Sequence, residues 1–297
     1  MENQKKSLLS IHLAVLLFGL AGLFAKWVQL PAVIIVLGRV IFSSISLLVL
    51  LKIKKGSIRL KSGKDYVLMI TAGIVLAVHW TTFMQSIQTS TVAIGTLTFS
   101  TFPLFVTFLE PILFHERLKV SSVVSAVVML LGVLCIVPEF ELGNTMTQGV
   151  IWGMICSLTY AVLSLLNRLF MEKYTSSVTA FYEQATASVV LLPALFVLRP
   201  AVSIRDILVL ILLGVVFTAF AHTMYIEGLR HVKVQTAGII SGLESVYGIL
   251  AAFLFLGEKP GIKELAGGVI ILGVVFYSTR LSSKEEADKV EKAGPIK

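Results

Sequence analysis

Glu244, His79, His222 and Arg39 are ionisable residues set inside runs that are otherwise apolar. If those runs cross a membrane, a charge at the bilayer centre costs roughly 2.5–3.5 kcal/mol on insertion scales, so such a residue faces a partner or a wet cavity. A carboxyl group and imidazoles within reach of one another could take up a proton. A guanidinium could offer two parallel hydrogen bonds to an anionic group such as a carboxylate. Aromatic residues accompany these groups: Trp80 and Phe83 follow His79, and Tyr225 shares a helical face with His222. Ser241 and Gly248 point in the same general direction as Glu244, away from Gly238 and Gly242. An aromatic wall with a few polar groups is how small-molecule sites are usually built. A plainer alternative stands beside each residue. Each histidine taken alone reads first as a hydrogen-bonded core residue; Glu244 reads otherwise as a buried carboxyl joining two helices, and Arg39 as a side chain reaching the outer surface or pairing with a distant acid.

The elements that carry these residues are set by composition. Of 297 residues, 56% are apolar and 14% charged, against about 25% charged in a soluble domain. The chain reads as ten apolar spans, at 8–28, 32–52, 66–86, 92–114, 119–137, 148–170, 178–198, 207–228, 235–256 and 262–280. Each is near the roughly 20 residues that cross about 30 Å of hydrocarbon as a helix. A membrane barrel needs alternating stretches, and runs such as Val123–Val137 do not alternate. The net charge of +8 reflects topology and does not point to nucleic acid. With the amino terminus inside, 19 of the 25 Lys and Arg fall on cytoplasmic segments, 5 outside, and Arg39 within a span. That bias places both termini in the cytoplasm. The basic loop 52–64 could also touch anionic head groups.

A shift of 142 residues lays one half of the chain on the other: Lys26 on Arg168, Phe18 on Tyr160, Phe83 on Tyr225, Gln85 on Glu227 and Glu116 on Glu258. Five spans per half is an odd number, so the halves are expected to lie upside down relative to each other. The domains are then 8–137 as the first five-helix repeat, 138–147 as an extracytoplasmic linker, 148–280 as the second repeat and 281–297 as a disordered cytoplasmic tail. Gly238 and Gly242 form a GxxxG in span nine, matched by Thr96 and Ser100 in span four. Both read as close packing faces that cross near the pseudo-twofold axis. Pro103 can kink span four by removing a backbone hydrogen bond. Glu110, before Pro111, reads as either a gate or a structural residue. Lys26 reads as an interfacial anchor, Glu183 as an interfacial acid, and Glu116 and Glu258 as residues that fix loop geometry. Cys135 and Cys156 have neither metal-ligand spacing nor a disulfide framework. No phosphate-binding loop or HExxH motif is present, so no cofactor or metal is expected.

A mid-helix proline, an apolar run and a glutamate, from Phe102-Pro103-Leu104 through Glu116-Arg117-Leu118, resemble the EamA family of the drug/metabolite transporter superfamily. The stretch from Glu244-Ser245-Val246 through Glu258-Lys259-Pro260 resembles that family's second repeat, with Ser245 where a proline is common. The resemblance covers about residues 8–280. It implies a secondary carrier for amino acids, nucleotide-like metabolites or other small organic compounds, often an exporter. The expectation is therefore an all-α integral membrane protein of ten transmembrane helices in two inverted repeats. It would sit in the plasma (bacterial inner) membrane and move a small metabolite by alternating access, with protons as a possible second ligand. Its oligomeric state stays open. The rivals are a membrane-embedded enzyme acting on lipid, which would need a polar catalytic cluster at one interface, and a channel or sensor, which would need a continuous polar stripe.

Overall fold

The computed structural model describes residues 2–114, 118, 120–137, 141–171, 173–228 and 240–293. Among the described residues all regular structure is helical. In chain order the helices are α1 (Glu2–Ala21), α2 (Phe24–Trp27), α3 (Ala32–Ile53), α4 (Gly63–Thr89), α5 (Val92–Phe99), α6 (Phe102–Phe114) and α7 (Val120–Ile136). There follow α8 (Thr145–Met171), α9 (Ser176–Leu198), α10 (Ile204–Gly214), a π-helical turn (Val215–Phe220), α11 (Ala221–Gly228), α12 (Leu243–Leu256) and α13 (Ile262–Ala293). Seven helical stretches are long and apolar enough to cross a membrane, and the shorter apolar helices Val120–Ile136 and Leu243–Leu256 add to them. Large apolar side chains such as Ile53, Val120, Val197, Leu254 and Ile262 are more than two-thirds exposed on the outer surface of the bundle. On a soluble protein they would form a sticky patch; here they face lipid tails.

Local chemistry sets where helices start and break. Ser62 caps α4 by accepting from the Asp65 N–H at 3.2 Å, Thr91 caps α5 through Ile94 N–H at 3.1 Å, and Ser203 and Asp206 form a reciprocal capping box on α10. Each satisfies backbone donors that a helix start leaves unpaired. Span four is two helices, α5 and α6, parted at Ser100–Thr101. Pro103 has no N–H for the Phe99 carbonyl, which accepts instead from the Ser157 hydroxyl at 3.3 Å. At the carboxyl end α13 runs on past the expected span to Ala293.

Contacts between helices repeat when the halves are exchanged. α4 packs on α8 as α1 packs on α11, and α5–α6 lie against α8 as α12 lies against α1. α3 with α9, α5 with α12, and α7 with α13 each pair with their own counterparts. Lipid supplies no hydrophobic drive between apolar helices, so small residues and interhelical hydrogen bonds hold the seams. The Ser86 hydroxyl donates to the Gly149 carbonyl at 2.7 Å, and Ser245 Oγ bonds both Ser100 Oγ at 2.7 Å and the Thr96 carbonyl at 3.0 Å. A Cβ on Gly19 would lie 2.7 Å from the Glu244 carbonyl, so only glycine lets α1 lie this close to α12.

Candidate functional site

Arg39 is 5% exposed in the middle of α3. Its Nε donates to Thr218 Oγ1 at 2.9 Å, and Thr218 in turn donates to the Leu213 carbonyl at 2.8 Å, five residues back. Thr218 lies in the π-helical turn, a local distortion that frequently marks a functional site. The turn follows Gly214, where a Cβ would stand 2.7 Å from the Arg39 carbonyl. The guanidinium carbon lies 3.9 Å from the Trp80 ring centroid, a cation–π stack. Nε, the clamp from α10–α11 and the Trp80 face thus fix the fork. Its two terminal nitrogens make no hydrogen bond among the described residues.

Glu244, in the first turn of α12, and His222, in α11, are half-buried. Neither side chain makes a hydrogen bond or an ion pair among the described residues. Arg39 lies within coulombic reach of both. Tyr225 is near as well: its hydroxyl and Ser241 Oγ are 2.9 Å apart, and its ring lies 6.0 Å from Phe18, which is 6.4 Å from His222. A carboxylate, an imidazole and the free end of a guanidinium therefore share one interior region without satisfying one another. In so apolar a setting, groups left this way call for water or a ligand.

His79 behaves differently from His222. It is 4% exposed, and its Nδ1 donates to the Cys156 carbonyl at 3.0 Å. That bond fits the hydrogen-bonded core histidine and leaves Nε2 as an acceptor when the ring is neutral. Around it stand Tyr160 at 5.0 Å and Phe99 at 5.5 Å between ring centroids. Phe99 continues to Phe83 at 5.7 Å and Phe102 at 5.9 Å, and Tyr160 meets Phe102 at 4.8 Å. The 142-residue shift relates this aromatic wall to the polar one. It places Trp80 on His222, Phe83 on Tyr225, Phe99 on Ser241, Phe102 on Glu244 and Phe18 on Tyr160. One half thus supplies aromatic faces at the positions where the other supplies an acid, a hydroxyl and an imidazole. Among the described residues no cluster of His, Cys, Asp and Glu could hold a metal ion.

The sequence profile of the EamA-like transporter family matches residues 5–137 and, a second time, residues 147–280. The chain belongs to this family. An uncharacterized transporter of Archaeoglobus fulgidus is 30% identical over 67% of this chain and 71% of its own length. A second, from Bacillus subtilis strain 168, is 22% identical over 95% of this chain and 93% of its length. A protein of Rickettsia bellii named an S-adenosylmethionine uptake transporter is 23% identical over 85% of each chain. One solved crystal structure superposes with a TM-score of 0.66 at 18% identity, covering 95% of this chain and 99% of that one, a likeness of fold alone. This chain is accordingly a multi-pass membrane transporter for a small molecule, in a family of transporters and not of enzymes.

Other expected positions in this EamA-like transporter fall outside the polar cluster. Pro103 sits in the first turn of α6, at the break in span four. Glu110 lies in the same helix, about 12 Å of helical rise beyond Phe102. Gly242 is buried just ahead of α12, and Gly238 lies outside the described residues. The small-residue face of span four does find a partner, but at Ser245 and Gly248. Gly248 packs against the Thr96 methyl and the Gly19 carbonyl, so it does not share the open direction of Glu244. The reason is that α12 is wedged between α1 and α5, and one helical face meets both.

The two ends of the bundle are tied differently. Lys26 is more than an interfacial anchor: its Nζ donates to the Ser90 carbonyl at 2.6 Å and lies 3.8 Å from Glu258 Oε1. Glu258 Oε2 accepts from the Val92 N–H at 2.9 Å and so caps α5. This latch joins the ends of α2, α4 and α5 to the loop after α12. At the opposite end the Tyr174 hydroxyl donates to Asp65 Oδ2 and accepts from the Lys61 N–H, both at 2.7 Å. The Tyr182 hydroxyl donates to the Ile58 carbonyl at 2.9 Å and holds the basic loop to α9. Burial, then the hydrogen bond to Asp65, holds the Tyr174 phenol above its ordinary pKa.

Proposed function

We propose that this chain is an alternating-access carrier whose substrate sits among Arg39, Trp80, His222, Tyr225, Ser241 and Glu244 on one side and the His79–Phe83–Phe99–Tyr160 wall on the other. The observation that carries the reading is the set of groups from α3, α11 and α12 left unsatisfied among the described residues: the Arg39 fork, the His222 ring and the Glu244 carboxylate. They are preset before any ligand arrives, which limits the entropy lost on binding. The chemistry they recognise is a small zwitterion with a flat portion. A carboxylate pairs with Arg39, a cationic centre with Glu244, and a planar group stacks on the aromatic wall. Amino acids and their nucleoside conjugates have this form, and the relative named for S-adenosylmethionine uptake makes that molecule the first probe.

The halves act as inverted repeats in the plasma membrane with both termini cytoplasmic, consistent with the charge bias of the loops and the exchange of packing partners. The latch of Lys26 and Glu258 then closes the outer end. Rocking one half against the other would open it while closing the inner end. Gradients choose the direction, so uptake and export are both open to such a carrier. The test is counterflow: purified protein in liposomes preloaded with unlabelled S-adenosylmethionine should draw in labelled S-adenosylmethionine above protein-free liposomes. Leucine and adenosine, each carrying half of the expected features, should compete weakly. Failure of every zwitterion tried to exchange would defeat the proposal.

A further inference from the structure

Glu183 lies outside the cluster described above. It is the eighth residue of α9, about 10 Å of helical rise from Ser176, and it is 2% exposed. The sequence alone placed it at the interface; the structure buries it, because α4 presses on the backbone there. A Cβ on Gly73 would stand 2.8 Å from the Glu183 carbonyl. The Asn167 side-chain amide, from α8, reaches its carboxyl. Glu183 Oε1 and Asn167 Oδ1 are both buried without a hydrogen-bond partner, and so is Gln184 Oε1 next along α9.

The mid-span ionisable groups of the helices packed against α9 are Arg39 on α3, His79 on α4, Cys156 and Tyr160 on α8, and His222 and Tyr225 on α11. Tyr160 is within electrostatic reach of Glu183. None of the six pairs or bonds with it among the described residues. An ionised carboxylate so placed has no countercharge among the described residues, a costly state in a low-dielectric interior. A proton on Oε1 removes the charge and turns that oxygen into a donor. It can then bond Asn167 Oδ1, which satisfies two orphaned acceptors at once. Glu244 differs in having a guanidinium, that of Arg39, within its electrostatic reach.

We infer that Glu183, with Asn167, is a proton-binding site distinct from the substrate site, and that a proton gradient drives transport through it. The inference deepens the carrier reading and rests on it. In the conformation seen here the carboxyl holds one proton; in the other it opens to water and releases that proton as the carboxylate forms. α9 packs against α3 and α4 of the opposite half, so the charge appears on the seam along which the halves move.

Two measurements separate this inference from the carrier reading. Infrared difference spectra of the purified protein, titrated with acid and base, report the C=O stretch of protonated carboxyl groups without any substrate. One titrating band should be present in the native protein and in Glu244→Gln and missing from Glu183→Gln, whose amide imitates the protonated acid, over and above the bands that the other carboxyl groups give in all three. Spectra of Glu183→Gln that keep every titrating band of the native protein overturn the site, whether or not S-adenosylmethionine is transported. In liposomes, labelled S-adenosylmethionine should accumulate under an imposed pH difference in the native protein. Glu183→Gln should lose that accumulation yet keep counterflow within about 2-fold; Glu183→Asp should recover part of it. Native-like accumulation in Glu183→Gln, or accumulation driven equally by a sodium gradient at fixed pH, overturns the coupling role. Absence of counterflow in the native protein counts against the carrier reading, and the infrared arm still decides the proton site.

Discussion

Replacing Arg39 by lysine keeps the charge and removes the geometry. The native fork has Nε held by Thr218 and its plane stacked on Trp80, with neither terminal nitrogen bonded among the described residues. A substrate carboxylate can therefore take two parallel charge-assisted bonds. Lysine offers a single ammonium on a stem that neither Thr218 nor Trp80 orients. Losing one such bond costs about 1.5–3 kcal/mol, and each 1.4 kcal/mol is tenfold in affinity. Arg39→Lys should thus raise the half-saturating concentration in counterflow by roughly 10- to 150-fold. The assay needs a second substrate, the decarboxylated form of the same probe, for which the loss should vanish because there is no carboxylate to hold. Native thermal stability within a few degrees would show that the fold survives. Equal losses for the carboxylated and decarboxylated probes, or no loss for either, would refute the assignment of Arg39 to the substrate anion.

Three further outcomes follow from particular contacts. Glu244→Gln keeps the shape of the carboxylate and removes its charge, so binding of a cationic probe should weaken by roughly 10- to 100-fold, while an uncharged analogue should be little affected; equilibrium binding by the purified protein reads this. Ser245→Ala removes the hydroxyl that bonds Ser100 and the Thr96 carbonyl. Interhelical bonds in membranes average about 0.6 kcal/mol, so its Tm should fall by only a few degrees and counterflow should persist; complete loss of folded protein would contradict this weight. Asp65→Asn removes the carboxylate that accepts from the Tyr174 phenol. Tyr174 should then give up its proton at lower pH, as read by ultraviolet difference titration, and an unmoved midpoint would leave burial as the whole cause.

The apolar runs were plain in the sequence because a bilayer demands continuous hydrophobicity, and composition reports that directly. The polar intruders Arg39, His222 and Glu244 stood out for the same reason. What those residues touch was not legible. Hydropathy does not see the π-helical turn at Val215–Phe220, because an i−5 bond changes register without changing residue type. Thr218 therefore passed as one more small residue of a span, although it positions Arg39. The partner of His79 is a backbone carbonyl, which carries no side-chain signature. Gly248 was assigned by helical angle to the open face, yet it packs at a crossing that depends on two other helices. The repeat correspondence, extended to Trp80 with His222 and Phe102 with Glu244, sets aromatic positions of one half against polar positions of the other and is legible in the sequence.

Alternating access at the central cluster is most directly tested at Ser241, whose hydroxyl lies 2.9 Å from that of Tyr225. A Ser241→Cys variant in a Cys135→Ser, Cys156→Ala background would be exposed to a membrane-impermeant maleimide from either side of oriented vesicles. Labelling is expected from both sides, slowed from both by S-adenosylmethionine or whichever zwitterion supports counterflow. Labelling from one side only, at a rate no transported substrate alters, would contradict it.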